Sequence, residues 1–192
     1  MTDNLGYTSV PALLKYLRHA EQLGLDIDQA LTAAGLKAED LADNGKRIPS
    51  ETHERLLAHL LRASNDPLFG LHCARFVQPG SWSVLGYITM NCATLGEAMS
   101  RIVPYEKLVG DMGVSRVEAG AGHVKMIWTC RHQAEPIRRH LVENVLASWL
   151  LYARWIADME RSPEEVWFEH AQPEGTELAE YQAIFGCPIR FE

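Results

Sequence analysis

The chain has 192 residues, a formal net charge of −7 at pH 7 and 47% hydrophobic residues. A chain of this length can bury about 70% of its unfolded surface, so we expect one domain that folds without disulfides or a structural metal. The acidic balance argues against tight binding of nucleic acid, which requires clustered Lys and Arg. No apolar stretch approaches the roughly 18 residues of a membrane span, and the N-terminus lacks a basic-then-apolar signal pattern.

The four cysteines also bear on the cellular compartment. They are far apart and form no Cys-x-x-Cys motif. A chain of this size does not need them as bridges, so we interpret them as reduced thiols of a cytoplasmic protein.

The first part of the chain is predicted to be helical. Apolar residues recur at helical spacing from about Val10 onward. Asp26 begins a second helix, Ser50 is predicted to cap a third, and Asp66-Pro67 opens a short fourth. Together these segments predict a helical N-terminal lobe of about residues 1–78.

The following segment predicts both a helix and strands. Thr94 and Glu97 fit a capping box, in which each side chain bonds the backbone N–H of the other residue, and the helix should run to about Leu108. Residues 114–119 and 123–130 have strand periodicity and flank a glycine-rich turn. They predict a β-hairpin.

The longest predicted helix spans residues 135–160. Its apolar stripe is wide enough for a central helix packed against a sheet. Further strands are predicted at 166–168 and from Pro188, and the sequence ends within the first residues of that last strand. We therefore predict an α+β fold, with a helical N-terminal lobe and an antiparallel β-sheet packed against the long helix in a second lobe of about residues 79–192.

Motifs for catalysis are incomplete in this sequence. His53-Glu54 begins like the helical zinc motif of metalloproteases, but Leu57 occupies the position of the second His. There is no nucleophile elbow, phosphate loop or GxGxxG motif. Cys130 and His132 alternate on one strand face, without clear third and fourth metal ligands nearby in sequence. We predict no catalytic residues, no metal site and no cofactor, and leave the roles of the histidines and cysteines open.

Two other patterns have more than one interpretation. The helices in residues 13–42 resemble a helix-turn-helix in length, but acidic residues dominate them, which is unsuited to reading a DNA groove. The aromatic residues between about 82 and 155 are expected to face one another, as a packed core or as a pocket with a few polar groups. As candidate ligand-binding residues we select Trp82, Tyr87, Tyr105, Met126 and Trp128.

Several residue strings occur together in a fixed order: Arg47-Ile-Pro49, Asp66-Pro-Leu-Phe-Gly-Leu71, Gly80 through Tyr87, Thr94-Leu-Gly-Glu-Ala98, Val166 through Phe168 with His170 and Pro173, and Tyr181 to Phe191. In this order the sequence resembles the N-terminal, arabinose-binding-like domain of AraC/XylS-type transcription regulators. The strings contain helix starts and glycine positions, so they point to a fold and not to an active site.

The resemblance implies a ligand-sensing and dimerisation domain of a DNA-binding regulator. It implies a small-molecule effector, a homodimer, no membrane contact, and contact with DNA only through a C-terminal helix-turn-helix domain that is absent from this chain. The layout is also similar to the haem-based nitric-oxide sensor fold, which suggests a pocket between the sheet and the helices of residues 82–108. Alternatives are a small cytosolic enzyme, a haem-type sensor and a ligand-free interaction module.

Overall fold

A computed structural model describes residues 5–192 of the chain. Within this range the α-helices are α1 (Val10–Gln22), α2 (Ile27–Ala34), α3 (Ser50–Ser64), α4 (Phe69–Cys73), α5 (Val84–Met90), α6 (Leu95–Tyr105), α7 (Ile137–Ala157) and α8 (Thr176–Phe185). The strands are β1 (Tyr7–Ser9), β2 (Arg47–Pro49), β3 (Gly113–Ala119), β4 (Val124–Cys130), β5 (Val166–Phe168) and β6 (Ile189–Phe191). The predicted α+β fold class is confirmed.

The described strands pair two by two. β1 pairs with β2 and β3 with β4, both antiparallel, and the predicted hairpin is the β3–β4 pair. The predicted strands β5 and β6 do not extend the hairpin, because they pair with each other in parallel. The chain between them contains α8, the kind of crossover that a parallel pair requires.

Local side-chain chemistry explains two of the helix starts. Asp26 accepts a hydrogen bond from Gln29 N at 2.9 Å, as a capping aspartate should. Thr94 Oγ1 accepts from Glu97 N at 3.1 Å, while the Glu97 carboxylate accepts from Ala93 N at 3.0 Å and not from Thr94 N–H. The prediction that Ser50 caps a helix is wrong, because Ser50 is the first residue inside α3 and its hydroxyl makes no capping bond.

The strands β1 and β2 were not expected from the sequence. Each has three residues, which is too short for a period of two to be recognised. Thr8 pairs with Ile48, and Ser9 N donates to Val109 O at 2.8 Å. This small sheet ties the start of α1 to the segment that follows α6.

Side chains from both predicted lobes share one hydrophobic core. Residues of α1, α2, α3 and α4 pack with Met112, Cys130, Ile137 and Leu141. A second cluster gathers Phe168, Tyr181 and Phe185 near α7 and α8. The two lobes are therefore joined by a common core, and a boundary between them near residue 78 remains a prediction.

Helix α7 is central, as its wide apolar stripe predicted. It lies so close to α4 that a Cβ atom on Gly70 would be 2.1 Å from His140 O. Asn144 Nδ2 donates to Gly70 O at 2.9 Å and its Oδ1 accepts from Tyr16 OH at 3.0 Å, so a buried network joins α1, α4 and α7. Among residues 5–192, none of the helices has the length and apolar character needed to cross a membrane.

Candidate ligand-binding cavity

A cavity of about 1090 Å³ lies between the β3–β4 hairpin and helices α6 and α7. Pockets for small molecules commonly measure about 300–1,000 Å³. Many of the side chains that line it are apolar or aromatic, among them Leu85, Ala98, Ile102, Val109, Met112, Val145, Leu146 and Trp149. The size and the lining are both suited to an organic ligand.

The hairpin forms one wall of the cavity. Met126, Trp128 and Cys130 alternate along β4, so they share one face, and all three line the cavity. The Trp128 indole lies against β3 at Gly113, where an added Cβ atom would be 2.3 Å from the ring. Because Gly113 has no side chain, the ring can lie directly on the strand.

Helix α7 forms the facing wall through Trp149 and Tyr152, among other residues. Tyr152 OH donates to Gly86 O at 2.6 Å and lies 3.2 Å from Thr89 Oγ1. Burial raises the pKa of Tyr152, so its hydroxyl stays a neutral donor at physiological pH. This hydrogen bond holds α5 against α7 beside the cavity.

Trp82 lines the cavity next to Tyr152, with ring centroids 6.4 Å apart. Its Nε1 atom is buried and has no hydrogen-bond partner among the residues that the structure describes. The Lys15 ammonium lies 5.0 Å from the Trp82 ring centroid, a cation–π distance. Trp82 therefore contributes part of its ring to the cavity wall, while its N–H group is buried beside the cavity.

Glu106 adds an acidic group to the lining, in the turn that follows α6. Burial raises the pKa of Glu106, although a hydrogen bond from Ser115 opposes the shift. The backbone N–H of Ser115 donates to its Oε2 at 2.8 Å. Glu106 was not among the residues selected from the sequence, and a charged residue at the end of a helix gives no signal in the sequence that it faces a cavity.

The chain was compared with known protein families. The chain matches the model of the arabinose-binding domain of AraC transcription regulators, an N-terminal domain, over residues 24–192. The chain belongs to this family. The match confirms the resemblance found in the ordered residue strings, and it identifies a ligand-binding regulatory domain. No curated protein matches the chain.

The cavity of this AraC-type domain brings together three of the five residues that we selected. Trp82, Met126 and Trp128 all line it, although they come from the turn before α5 and from β4. That they contact an effector remains a proposal.

Tyr87 and Tyr105 do not line the cavity, and their residues are 56% and 39% exposed. On α5, Thr89 lines the cavity, and Tyr87 lies two residues earlier, about 200° around the helix. Near the end of α6, Ile102 and Glu106 line it at a spacing of four residues, and Tyr105 lies about 100° from Glu106. The proposed binding set therefore omits both tyrosines.

Cys130 and His132, which alternate on one strand face in the sequence, were also located in the structure. Cys130 lines the cavity, and burial raises the pKa of its thiol to about 11. His132 is buried, with Nδ1 3.4 Å from Glu54 Oε2. Within residues 5–192, neither belongs to a group of three acidic, His or Cys side chains close enough to hold a metal ion.

Proposed function

We propose that this chain is the effector-sensing part of a cytoplasmic transcription regulator, and that its effector is a small molecule with a large hydrophobic area. The observation that carries this proposal is the apolar, aromatic cavity in a member of a family of ligand-binding regulatory domains. Burying apolar ligand surface against such walls is favourable by about 25 cal/mol per Å². Aromatic rings add offset or edge-to-face contacts.

Two polar groups would orient the effector. Trp82 Nε1 is a buried donor without a partner among residues 5–192, and Glu106 is a partly buried acceptor. A ligand acceptor that reached the Trp82 N–H would remove the penalty of leaving that donor unpaired. A ligand donor would give Glu106 a second hydrogen bond besides the one from Ser115 N. The family is named for arabinose, but a free sugar needs a polar partner for most of its hydroxyls. The mainly apolar walls favour a more hydrophobic compound.

The mechanism that we propose is a population shift. An effector in the cavity would touch the hairpin, α6 and α7 at the same time, and would favour the arrangement of these elements that fits it best. An attached DNA-binding domain would sense that arrangement through the relative position of the elements. This mechanism requires that the effector binds one arrangement of these elements more tightly than another.

We also propose that the chain forms a homodimer, chiefly because of its family. The exposed side of α7 carries Trp155, which is 58% exposed and stacks on Tyr152. The stripe on α7 thus continues beyond the part that packs in the core. Sedimentation at rising concentration should show a dimer that Trp155→Ser weakens, and a monomer at every concentration would contradict the proposal.

The proposed cavity is tested first by ligand screening and then by mutation. A thermal-shift screen should include fatty acids, amines, amino acids and sugars, arabinose among them, since selective binding raises the melting temperature by mass action. Calorimetry with the strongest hit should then show that Trp128→Ala weakens binding by at least about tenfold, a loss of 1.4 kcal/mol or more. Tyr87→Ala, an aromatic truncation outside the cavity, should bind like the parent.

Each outcome separates the candidates. Equal affinity in a folded Trp128→Ala variant would remove the cavity from the proposal. Absence of any hit across the library would favour the ligand-free interaction module. Conversion of a hit to product would favour the enzyme alternative over the sensor.

A further inference from the structure

Two histidines and one aspartate converge outside the effector cavity, at the junction of α1 and α4. His19 Nε2, Asp66 Oδ2 and His72 Nδ1 all lie within 4.8 Å of one another. Asp66 Oδ2 is 3.0 Å from His19 Nε2 and 2.8 Å from His72 Nδ1. We propose that these three atoms bind a divalent transition-metal ion, with Zn²⁺ as the first choice. No metal site was predicted from the sequence, in which these three ligands are not grouped.

The spacing of the three atoms suits one shared ion. Tetrahedral ligands at about 2.0–2.1 Å from Zn²⁺ lie roughly 3.3 Å from each other. The two distances from Asp66, 3.0 and 2.8 Å, are shorter than that value by about 0.3 and 0.5 Å, and the two histidine nitrogens lie within 4.8 Å of each other. Two imidazoles with one carboxylate are a ligand set for zinc, iron or nickel, whereas calcium and magnesium prefer all-oxygen sites.

In Asp66 and His72, the polar atom that would not bind the metal is held by a hydrogen-bond partner. Asp66 Oδ1 accepts from Leu68 N at 2.9 Å, which directs Oδ2 toward the histidines. His72 Nε2 lies 2.6 Å from Glu180 Oε2 on α8. A carboxylate on the second nitrogen of a metal-bound histidine fixes the ring and raises its basicity. Glu180 is therefore a positioning residue.

The proposed metal site is buried among aromatic rings at His19 and borders an open cleft at Asp66. His19 is 4% exposed, and its ring lies 5.0 Å from that of Phe69 and 5.9 Å from that of Phe76. Asp66 also lines an open cleft of about 680 Å³. Asp66 is the ligand that borders this cleft, and a water molecule could complete a three-ligand zinc site.

Charge also favours a dication here. Asp66 and Glu180 place two carboxylates within hydrogen-bond distance of the two nitrogens of His72. One divalent ion on Asp66 balances both of them. The ion would tie α8, through Glu180, to α1 and α4, and so link the N-terminal helices to the last helix of the chain. This inference is independent of the effector cavity.

The test is zinc binding by the whole chain, measured by calorimetry with ZnCl₂. The parent should bind one ion per chain at the cluster. Asp66→Asn keeps an oxygen for Leu68 N–H but removes the charged ligand, and His72→Gln removes an imidazole. Both should abolish the one-to-one uptake. His123→Gln, which removes an exposed histidine from the hairpin turn, is the matched control and should bind like the parent.

Cobalt provides a readout of coordination geometry. Bound Co²⁺ in a four-coordinate site absorbs visible light much more strongly than aqueous Co²⁺, and Zn²⁺ should displace it and bleach the band. Glu180→Gln should leave the band in place but weaken the affinity by about 10–100-fold, as expected for a partner of a metal-binding histidine.

Circular dichroism and melting without metal establish that each variant is folded. If His72→Gln does not fold, the proposal is tested by Zn²⁺ uptake of Asp66→Asn alone. No one-to-one uptake by the parent would overturn the proposal, and would leave Asp66 as a simple acceptor for two imidazoles. The same conclusion would follow if folded Asp66→Asn bound Zn²⁺ as the parent does.

Discussion

The partners of buried ionisable side chains decide the role of each one. Glu143 on α7 is 0% exposed and accepts hydrogen bonds from Arg139 Nε at 2.6 Å and from Tyr181 OH. His140 Nδ1 lies 3.5 Å from Glu143, but it accepts from Gly70 N at 3.2 Å and so has no proton to donate there. Arg139 is therefore the main charge that compensates Glu143.

Loss of that partner should destabilise the domain strongly. Arg139→Met leaves a buried carboxylate without its cation, and we expect the free energy of unfolding to fall by about 3 kcal/mol. Urea denaturation measures the change. Arg138→Met is the control, since its partner Glu169 is 77% exposed and the Arg138 side chain is 30% exposed, and a pair that solvent reaches contributes about 0–1 kcal/mol. Equal losses in the two variants would contradict this assignment.

Lys15 presents the opposite case, a buried cation without a carboxylate partner. Among the described residues it forms no salt bridge, and its ammonium contacts the rings of Tyr16 and Trp82 at 5.4 and 5.0 Å. Burial lowers the pKa of Lys15 from 10.5 to about 8. Its charge therefore costs stability whenever it is protonated in the folded chain.

Replacement of Lys15 by Met should stabilise the domain in a pH-dependent way. Between about pH 8 and 10.5 the unfolded chain holds a proton on Lys15 that the folded chain has lost, so the stability of the parent rises with pH in that window. The advantage of Lys15→Met should reach about 3 kcal/mol below pH 8, at 1.36 kcal/mol per pKa unit, and shrink toward pH 10.5. Urea denaturation at pH 7 and pH 10 measures both. A constant difference would refute the prediction.

At the scale of elements, two glycines of the ordered strings allow close backbone approach. A Cβ atom on Gly70 would be 2.1 Å from His140 O, and one on Gly86 would be 1.9 Å from Pro79 O. Both neighbours are backbone atoms, which cannot rotate away. The contact of α4 with α7 therefore depends on the absence of a side chain at position 70.

A methyl group at that contact should separate the two helices. Gly70→Ala is expected to lower stability by about 1–3 kcal/mol, the usual range for overpacking a core. Gly96→Ala is the matched control, because Gly96 lies in α6 with its nearest neighbour 3.9 Å away, and alanine there should be neutral or stabilising by up to about 1 kcal/mol. Thermal and urea unfolding measure both. A loss for Gly96→Ala as large as that for Gly70→Ala would contradict the conclusion that the close contact with His140 O makes position 70 sensitive.

At the scale of the whole molecule, the net charge of −7 is unfavourable for direct contact with DNA, the partner of the wider regulator family. We expect this chain alone not to bind duplex DNA at physiological salt, because it cannot release the counterions that drive such binding. Fluorescence anisotropy with labelled duplex of random sequence measures this. A salt-sensitive rise in anisotropy would show a basic surface and contradict the proposal that DNA is bound only through another domain.

The sequence by itself determined the fold class, the hairpin, the existence of the long helix α7 and the family, whereas the bounds predicted for that helix, 135–160, were two to three residues too wide at each end. These follow from local chemistry, since capping side chains, glycine turns and the periodicity of apolar residues act over a few neighbouring positions. Asp26 and Thr94 illustrate this, as each bonds a backbone N–H three residues away. Met126 and Trp128 could be selected because they alternate on one face of a recognisable strand, and Trp82 because it is an aromatic residue close to a predicted helix.

Only the tertiary structure decided how distant elements meet. It paired β5 with β6 in parallel, turned Glu106 and not Tyr105 toward the cavity, and placed His19 beside Asp66, 47 positions away in the chain. A shift of one residue moves a side chain by about 100° around a helix, which is within the uncertainty of a predicted face. Contacts between remote residues depend on the packing of the whole core, and spacing along the chain does not carry that information.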